Sequence, residues 1–315
     1  MVDLLDRRLV FVTGKGGVGK TTVAASLALL AANRGKRTLV CEVDAKGNLA
    51  DFFETAPTAF AEREIAPQLW AMSMDTEASL RQYLTLQLKL PLVARIGPLA
   101  RMFDFVASAA PGVREIVTVG KLCWEVKERH YDLVVVDAAA SGHIVSQLAA
   151  PQAINQLVQV GLVRQQMGWM LDILDDPATT GLVVVATPAE MPVSETLELT
   201  EKVATETKVD LAAVVVNRVL PELFSRGEEE VFDGLGRPEA EATLDEALGG
   251  AARPLLDAAR MTVAMRRGRT EHLERLRAEI APSVPMLYVP YLFFRNHGMR
   301  ATRMVSEALS AELGY

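Results

Sequence analysis

The sequence predicts an α/β fold: a mostly parallel, twisted sheet with helices on both faces and an added helical layer. Three observations support it: apolar runs alternate with helix-length segments, a glycine-rich loop follows the first run, and Ala, Val and Leu are abundant. Strand–helix alternation implies right-handed crossovers, which cover a parallel sheet with helices. At 315 residues and 50% hydrophobic content, the chain is long enough for one large core. We therefore expect a single domain over residues 1–315.

Seven short apolar runs are predicted to be strands. They are Leu9–Thr13, Thr38–Glu42, Leu69–Ser73, Asp132–Asp137, Gly181–Thr187, Ala212–Asn217 and Met286–Val289. Between the first two runs, Val23, Leu27 and Leu30 recur at helical spacing, and Gly35 then provides a stop. The chain thus opens with a strand, a helix and a second strand.

Two connections are longer than ordinary crossovers, and we predict helical elaborations at about 76–131 and 143–176. In the second, Met167, Trp169 and Met170 lie in a long apolar stretch. Core or dimer packing is the interpretation we favour for them. The alternative is a surface for hydrophobic clients, because Met adapts to varied partners.

The last third of the chain is more polar. An acidic, Gly-rich segment at about 226–253 is predicted to be a mobile or solvated insertion. A charged surface helix is predicted over Leu255–Ile280, and a weakly apolar C-terminal helix over Met299–Leu313. The C-terminal helix is too weakly apolar to argue for membrane binding.

Composition narrows the classes of function. The net charge of −7 and pI of about 5.3 argue against a nucleic acid partner. No apolar run approaches the roughly 20 residues that span a bilayer, and we expect no signal peptide. Cys41 and Cys123 form neither a disulfide framework nor a zinc site by themselves, and Cys41 is expected to be buried. We expect a cytoplasmic protein.

The strongest motif is a glycine-rich loop between the first strand and the first helix. The loop residues expected to bind nucleotide are Gly14, Lys15, Gly16, Gly17, Val18, Gly19, Lys20, Thr21 and Thr22. In such a P-loop, backbone N–H groups converge on phosphate oxygens, and glycine permits close backbone approach. Lys20 is placed to reach the terminal phosphates, and the Thr21 hydroxyl is placed to bind Mg²⁺. The sequence therefore predicts a P-loop NTPase that binds ATP and Mg²⁺.

The same glycines have a second interpretation. Gly14, Gly16 and Gly19 also fit the G-x-G-x-x-G pattern of dinucleotide-binding folds, and Glu42 and Asp44 stand roughly where that fold has its ribose-binding acid. Hydride-transfer sites do not need the Lys20–Thr21 pair, so the P-loop interpretation is favoured.

Lys15 is not required by an ordinary P-loop. A lysine at this position resembles the deviant Walker A class, whose signature lysine crosses a dimer interface to the partner's nucleotide. A cation supplied in trans neutralises charge on the transferred phosphoryl group, as an arginine finger does. The resemblance implies a dimer, with Lys15 as a catalytic residue.

Two further segments, each beginning with Asp, follow predicted strands. Asp44–Asp51 follows the second strand, and Asp137–His143 follows a later buried one. Ligands of open α/β sheets bind at the carboxyl edge, where both segments emerge beside the phosphate loop. A structural role for Asp44 or Asp137, as a strand end or turn cap, is the alternative.

Here the chain resembles the arsenite-pump and tail-anchored-protein-targeting ATPase family, in the form of a bacterial-type member with a single ATPase unit. Asp44–Asp51 partly matches the family's switch I sequence, Asp-Pro-Ala-His-Asn-Leu-Ser-Asp, and Asp137–His143 partly matches its switch II sequence, Asp-Thr-Ala-Pro-Thr-Gly-His. Asn217 is similar to the family's adenine-reading Asn, with a turn-forming role as the alternative. Val289-Pro290-Tyr291 is similar to the loop that covers the base.

The resemblance implies roles for these positions. Asp44 would orient or activate the attacking water, and Asp137 would hold Mg²⁺ through a water molecule. Gly142 would sense the γ-phosphate through its backbone, and Pro290 and Tyr291 would cover the adenine. The catalytic set is thus Lys15, Lys20 and Asp44, with Thr21 and Asp137 at the metal.

Some positions depart from the family pattern. Ala45 and Gly47 replace the Pro and His of switch I, and Ala138 and Ala140 replace the Thr and Pro of switch II. Hydrolysis is therefore expected to be slow or dependent on a partner. The sequence has no C-x-x-C, so the zinc clasp of some family dimers cannot form, and the paired thiols of an arsenite site are not apparent.

The function predicted is Mg²⁺-dependent ATP binding and hydrolysis by a homodimer, or by a heterodimer with a paralogous ATPase. The resemblance adds a hydrophobic or membrane-protein client, with neither nucleic acid binding nor a membrane span. Two alternatives stay open. One is a nucleotide-dependent regulatory or positioning switch, and the other is a subunit that functions only with a related chain.

Overall fold

The computed structural model describes residues 3–43, 48–87, 112–157, 160–222, 224–235, 237–293 and 298–315. Asp44, Ala45 and Gly47 of the predicted switch I lie outside these residues. The same holds for residues 88–111 of the first predicted helical elaboration.

The strands form one eight-stranded sheet in the order β3-β4-β2-β5-β1-β6-β7-β8. Their bounds are β1 Leu9–Gly14, β2 Thr38–Glu42, β3 Arg63–Ala66, β4 Leu69–Ser73, β5 Leu133–Asp137, β6 Thr180–Ala186, β7 Leu211–Val219 and β8 Met286–Pro290. Every pairing is parallel except that of β3 with β4. The predicted α/β fold is confirmed, and each of the seven predicted strands is present.

Eleven α-helices are described. They are α1 Lys20–Asn33, α2 Asn48–Phe52, α3 Thr76–Gln87, α4 Val113–Lys127, α5 Ser141–Leu157, α6 Leu162–Leu174, α7 Glu190–Glu206, α8 Arg226–Gly234, α9 Pro238–Ala247, α10 Ala252–Glu279 and α11 Met299–Glu312. A short 3-10 helix, Leu4–Asp6, precedes β1. The predicted surface helix is α10, and the predicted C-terminal helix is α11.

The sheet separates two apolar layers because alternate strand residues face opposite sides. On one face, Val10 and Val12 of β1 pack with the buried Ala and Leu side chains of α1, and Val305 and Leu309 of α11 complete this layer. Ser26 Oγ of α1 also donates to the Thr302 carbonyl at 3.0 Å. The apolar face of α11 is therefore part of the core.

The opposite face of the sheet carries α4 to α7. Phe11 of β1 lies in this layer with Leu122 of α4, Ile144 of α5 and Leu199 of α7. Met167 and Met170 of α6 belong to it, with only 3% and 1% of their surface exposed. Core packing, the interpretation favoured for Met167, Trp169 and Met170, is confirmed for the two methionines, and Trp169 is partly buried against the same layer.

The polar segment at about 226–253 contains α8 and α9. A side-chain capping box of Ser225 and Glu228 begins α8, and Pro238 occupies the first turn of α9. Described residues of α9 are exposed or half-buried, while Phe232 of α8 packs with Leu256 and Val263 of α10. The segment is thus largely solvated but attached to α10 by its own small apolar cluster.

No helix in the described ranges is long and apolar enough to cross a membrane.

Candidate functional site

The predicted phosphate loop connects the end of β1 to the start of α1. β1 is central in the sheet, between β5 and β6. From this position the chain runs to β2 on one side of β1, while β6, β7 and β8 follow on the other side, and ligands of open α/β sheets bind at such a point. Gly14 ends β1 so close to β6 that a Cβ would lie 2.2 Å from the Val185 carbonyl oxygen. Gly19 precedes α1 with φ +97°, a conformation that favours glycine. Val18 between them is buried, and added Cβ atoms at Gly16 and Gly17 would meet open space.

The loop is joined to the acidic end of β5. Thr21 Oγ1, in the first turn of α1, donates to Asp137 Oδ2 at 2.6 Å. Around this contact, Thr13 Oγ1 donates to the Ala139 carbonyl at 2.8 Å, and the Val43 amide donates to the Asp137 carbonyl at 3.1 Å. The ends of β1, β2 and β5 are thus tied together beside the P-loop, as predicted from the carboxyl edge of the sheet.

The two lysines of the loop have different partners. Lys20 Nζ donates to the Lys15 carbonyl at 3.3 Å, so its ammonium group lies against the loop that is expected to hold phosphates. Lys15 Nζ instead forms an ion pair with Glu195 Oε1 of α7 at 2.5 Å. Sequence analysis did not identify Glu195, which lies 180 positions away in an ordinary amphipathic helix.

The residues expected at the base lie on the other side of β1, at the ends of β7 and β8. Asn217 is buried, and its Nδ2 donates to the Val18 carbonyl of the phosphate loop at 2.8 Å. Pro290 ends β8, and the Tyr291 amide donates to the Val219 carbonyl at 2.8 Å. Tyr291 is 36% exposed. The described site therefore spans the neighbouring ends of β5, β1, β6, β7 and β8.

The remaining predicted positions lie around this edge. Thr22 is half-buried in the first turn of α1. Gly142 is the second residue of α5, is exposed, and has open space where a Cβ would stand. Asp44 lies outside the described residues, directly after Val43, whose amide is bonded to the end of β5.

A family model matches the part of the chain that contains most of these site residues. The model of the anion-transporting ATPase family matches residues 7–172 and 160–232, which together include the loop, Thr21, Asp137 and Asn217. This chain belongs to the anion-transporting ATPase family. The family resemblance expected from the sequence is thereby confirmed.

Individual known proteins are similar to this chain over about two thirds of its length or more. ATPase BagA of Mycobacterium tuberculosis (strain ATCC 25618 / H37Rv) is 34% identical over 225 residues, which cover 68% of this chain and 66% of the relative. ATPase ASNA1 homolog 1 of Paramecium tetraurelia is 30% identical over 254 residues, covering 67% and 74% respectively. A putative arsenical pump-driving ATPase of Halobacterium salinarum is 26% identical over 261 residues, covering 76% and 40%. This chain thus spans about two thirds of the length of the mycobacterial relative.

The oxygen donors of this family member fit a magnesium ion in the presence of phosphates. Thr21 and Asp137 supply a hydroxyl and a carboxylate in contact with one another. Mg²⁺ prefers such hard oxygen ligands, and completes its octahedron with waters and substrate phosphates. No cluster of three or more His, Cys, Asp or Glu side chains suited to a metal is found in the described ranges. A site built by one acid, one hydroxyl and a bound triphosphate needs no such cluster.

The two cysteines lie in the core. Cys41 of β2 and Cys123 of α4 are both free and buried in the same apolar layer. Burial raises the pKa of each thiol well above its ordinary value. Both thiols are therefore held in the neutral form within the core. The expectation that Cys41 is buried is confirmed.

Proposed function

We propose that this chain is an Mg²⁺-dependent ATPase that binds and hydrolyses ATP as a dimer. The 2.6 Å hydrogen bond between Thr21 and Asp137 is the observation that carries the proposal. It brings the hydroxyl at the start of α1 and the acid at the end of β5 to one point beside the P-loop. This is the arrangement that magnesium-bound phosphates require in P-loop NTPases.

The loop would bind the triphosphate through its backbone. Amide groups of residues 14–19 and the N-terminus of α1 present positive potential, and open space at Gly16 and Gly17 leaves room for phosphate oxygens. Lys20 would exchange the Lys15 carbonyl for a phosphate oxygen, a stronger, charge-assisted acceptor. Bound Mg²⁺, held by Thr21 and by Asp137 through a water, would neutralise charge on the phosphates.

Turnover in this proposal requires a second chain. Lys15 would leave its own subunit and neutralise charge at the nucleotide of the partner, either an identical chain or a paralogous ATPase. Its side chain is 27% exposed, which supports access to a partner. Asp44 would position the attacking water, and Gly142 would contact the γ-phosphate through its backbone. Ala138 and Ala140 lack hydrogen-bonding side chains in switch II, so hydrolysis is expected to be slow or partner-dependent.

The proposal also includes a cytoplasmic location and a hydrophobic or membrane-protein client. This part rests on the resemblance to tail-anchored-protein-targeting ATPases, and Met167 and Met170 contribute nothing to it because they are buried. ATP-dependent capture of hydrophobic tail segments by the purified protein is the measurement. Capture above that of a polar control helix is expected. Equal capture of both would contradict the client role and leave the ATPase proposal intact.

The central test separates the two loop lysines. For Lys20→Ala we expect ATP affinity to fall about 10- to 100-fold, because a charge-assisted contact to phosphate is lost. Lys15→Ala is expected to bind ATP normally but lose turnover by about 1,000-fold or more, as for loss of a trans-acting cation. Fluorescent ATP titration and phosphate release measure the two quantities.

Lys202→Ala removes an exposed lysine from α7 and serves as the control. Activity that arises only after mixing with a related chain would identify a heterodimer. Unchanged turnover in Lys15→Ala would contradict the trans role of this lysine. Absence of saturable, magnesium-sensitive ATP binding, with and without a related chain, would contradict the whole proposal.

A further inference from the structure

The ion pair between Lys15 and Glu195 connects the phosphate loop to a helix that no sequence motif assigns to the site. Lys15 Nζ lies 2.5 Å from Glu195 Oε1, and the two side chains are 27% and 34% exposed. The pair is therefore neither a fully solvated surface contact nor a buried structural one. It joins the second residue of the P-loop to α7, and both side chains keep enough exposure to meet an approaching molecule.

Glu195 is positioned by a rigid element. It lies in the second turn of α7, the helix that follows β6, and β6 pairs with β1 beside the loop. Its neighbour Thr196 and the flanking Val193 and Leu199 are buried, so this face of α7 is fixed against the sheet. The carboxylate is thus held at a defined place beside the loop.

A single ammonium group cannot serve this carboxylate and a distant phosphate at once. If Lys15 acts on the nucleotide of a partner, as in the proposed function on which this inference rests, Lys15 has to leave Glu195 first. We propose that Glu195 is a positioning residue, which holds Lys15 in cis in the isolated chain and opposes its transfer to the partner's nucleotide. Dimer formation then exchanges an intramolecular ion pair for an intermolecular contact with phosphate.

The size of the effect follows from the exposure of the pair. Partly exposed ion pairs favour the paired state by about two- to fivefold. A homodimer breaks two such pairs, so the effect on the dimer dissociation constant is the square of this factor, about four- to 25-fold. A heterodimer in which only this chain carries the pair would show the unsquared factor.

The experiment compares Glu195→Gln with Glu198→Gln. The first replaces the carboxylate at nearly constant shape, and the second removes the same charge from an exposed position one turn later in α7. The dimer dissociation constant is measured by sedimentation with Mg²⁺ and a non-hydrolysable ATP analogue. The dependence of turnover on protein concentration is measured with ATP.

Glu195→Gln should dimerise four- to 25-fold more tightly and reach half-maximal turnover at a correspondingly lower concentration. Glu198→Gln should match the wild type.

A second pair of variants shows whether the effect acts through Lys15. In a Lys15→Ala background, Glu195→Gln should leave the dissociation constant unchanged, because no lysine remains to be held. Equal dissociation constants for wild type, Glu195→Gln and Glu198→Gln would overturn the inference. So would a shift that persists in the Lys15→Ala background, or a plateau rate of Glu195→Gln as low as that of Lys15→Ala.

These outcomes differ from failure of the proposed function. Normal turnover of Lys15→Ala would contradict the trans-acting lysine and, with it, the role of Glu195. Loss of turnover in Lys15→Ala together with an unshifted Glu195→Gln would contradict the role of Glu195 alone.

Discussion

The candidate site has two ends, named here for the parts of ATP that they are proposed to bind. The phosphate end consists of the P-loop, Thr21 and Asp137, and the base end consists of Asn217 and Tyr291. They lie at neighbouring strand ends but are held in place in different ways. At the phosphate end, side chains from separate elements meet directly, as Thr21 and Asp137 do. At the base end, the buried side chain of Asn217 binds the phosphate loop at Val18, and the Tyr291 ring is partly exposed. The phosphate end is a connected set of polar contacts. The base end is joined to it through the side-chain amide of Asn217.

The difference indicates how binding energy is distributed. If a triphosphate binds as proposed, the contact between Thr21 and Asp137 that is already present at the phosphate end reduces the ordering needed on binding. At the base end, Asn217 supports the loop through the Val18 carbonyl, and Tyr291 is the ring proposed to cover the adenine. Phosphates should therefore set most of the affinity, and the base should add a smaller, separable increment.

Of the four substitutions that test this comparison, the largest effect is expected where the two ends meet, at Gly19. A Cβ at this residue would lie 2.3 Å from Asn217 Nδ2, and φ is +97°. For Gly19→Ala we expect unfolding free energy to fall by about 2–3 kcal/mol, from left-handed backbone strain and a displaced hydrogen bond. Urea unfolding measures this loss, and ATP binding should fall with it.

Gly16→Ala is the matched control for stability. Its Cβ would meet nothing within 4 Å, and its backbone is not left-handed. Unfolding free energy should stay within about 0.5 kcal/mol of the wild type. An equal loss in both variants would contradict the contact between the two ends.

The next effect isolates the phosphate end. Asp137→Asn removes the carboxylate charge opposite Thr21 while keeping its shape, so Mg²⁺ loses its acid partner. We expect the gain in ATP affinity on adding Mg²⁺ to shrink by about 30-fold, or about 2 kcal/mol. ATP titrations with and without Mg²⁺ measure the gain. A full magnesium effect in the variant would show that Asp137 does not support the metal.

Asn217→Ala tests the link between the ends. Loss of the amide leaves the buried Val18 carbonyl without this donor, so the loop should hold phosphates less well. We expect binding of inorganic tripolyphosphate to weaken about fivefold, equivalent to about 1 kcal/mol. ATP should weaken at least as much, because the adenine contact expected from the sequence is lost too. Normal tripolyphosphate affinity with weakened ATP would assign Asn217 to the base alone.

The sequence was sufficient to predict the parts of this site that are local or strongly patterned. The P-loop lies in nine consecutive residues, and Asp137 ends a run of buried Leu and Val. β3 was not predicted because Arg63 and Glu64 are exposed and charged, and because its antiparallel pairing at the sheet edge leaves no apolar run. Edge strands tolerate such residues, so composition alone carries little signal there.

Long-range contacts were not predictable in the same way. The Lys15–Glu195 pair joins residues 180 positions apart, and nothing distinguishes Glu195 from other acids of α7 in the sequence. The binding of Asn217 to the Val18 carbonyl likewise depends on β7 lying two strands from β1, an order that the sequence does not specify. Burial of Met167 and Met170 was one of two interpretations, because an apolar helix face fits a core or a partner equally well.

The smallest of these effects is expected at Tyr291, whose ring is proposed to cover the base. Tyr291 contacts Phe293 at 4.9 Å between ring centroids, and the Arg269 guanidinium lies 5.9 Å from the Tyr291 centroid, so the ring has two neighbouring side chains. Tyr291→Ala should weaken ATP binding only about two- to fivefold, because a partly exposed aromatic contact contributes about 0.5–1 kcal/mol. Tripolyphosphate, which has no base, should bind as it does to the wild type, and Tyr291→Phe should keep ATP affinity because the ring remains. Equal weakening of ATP and tripolyphosphate would place Tyr291 with the phosphate end and remove the distinction between the two.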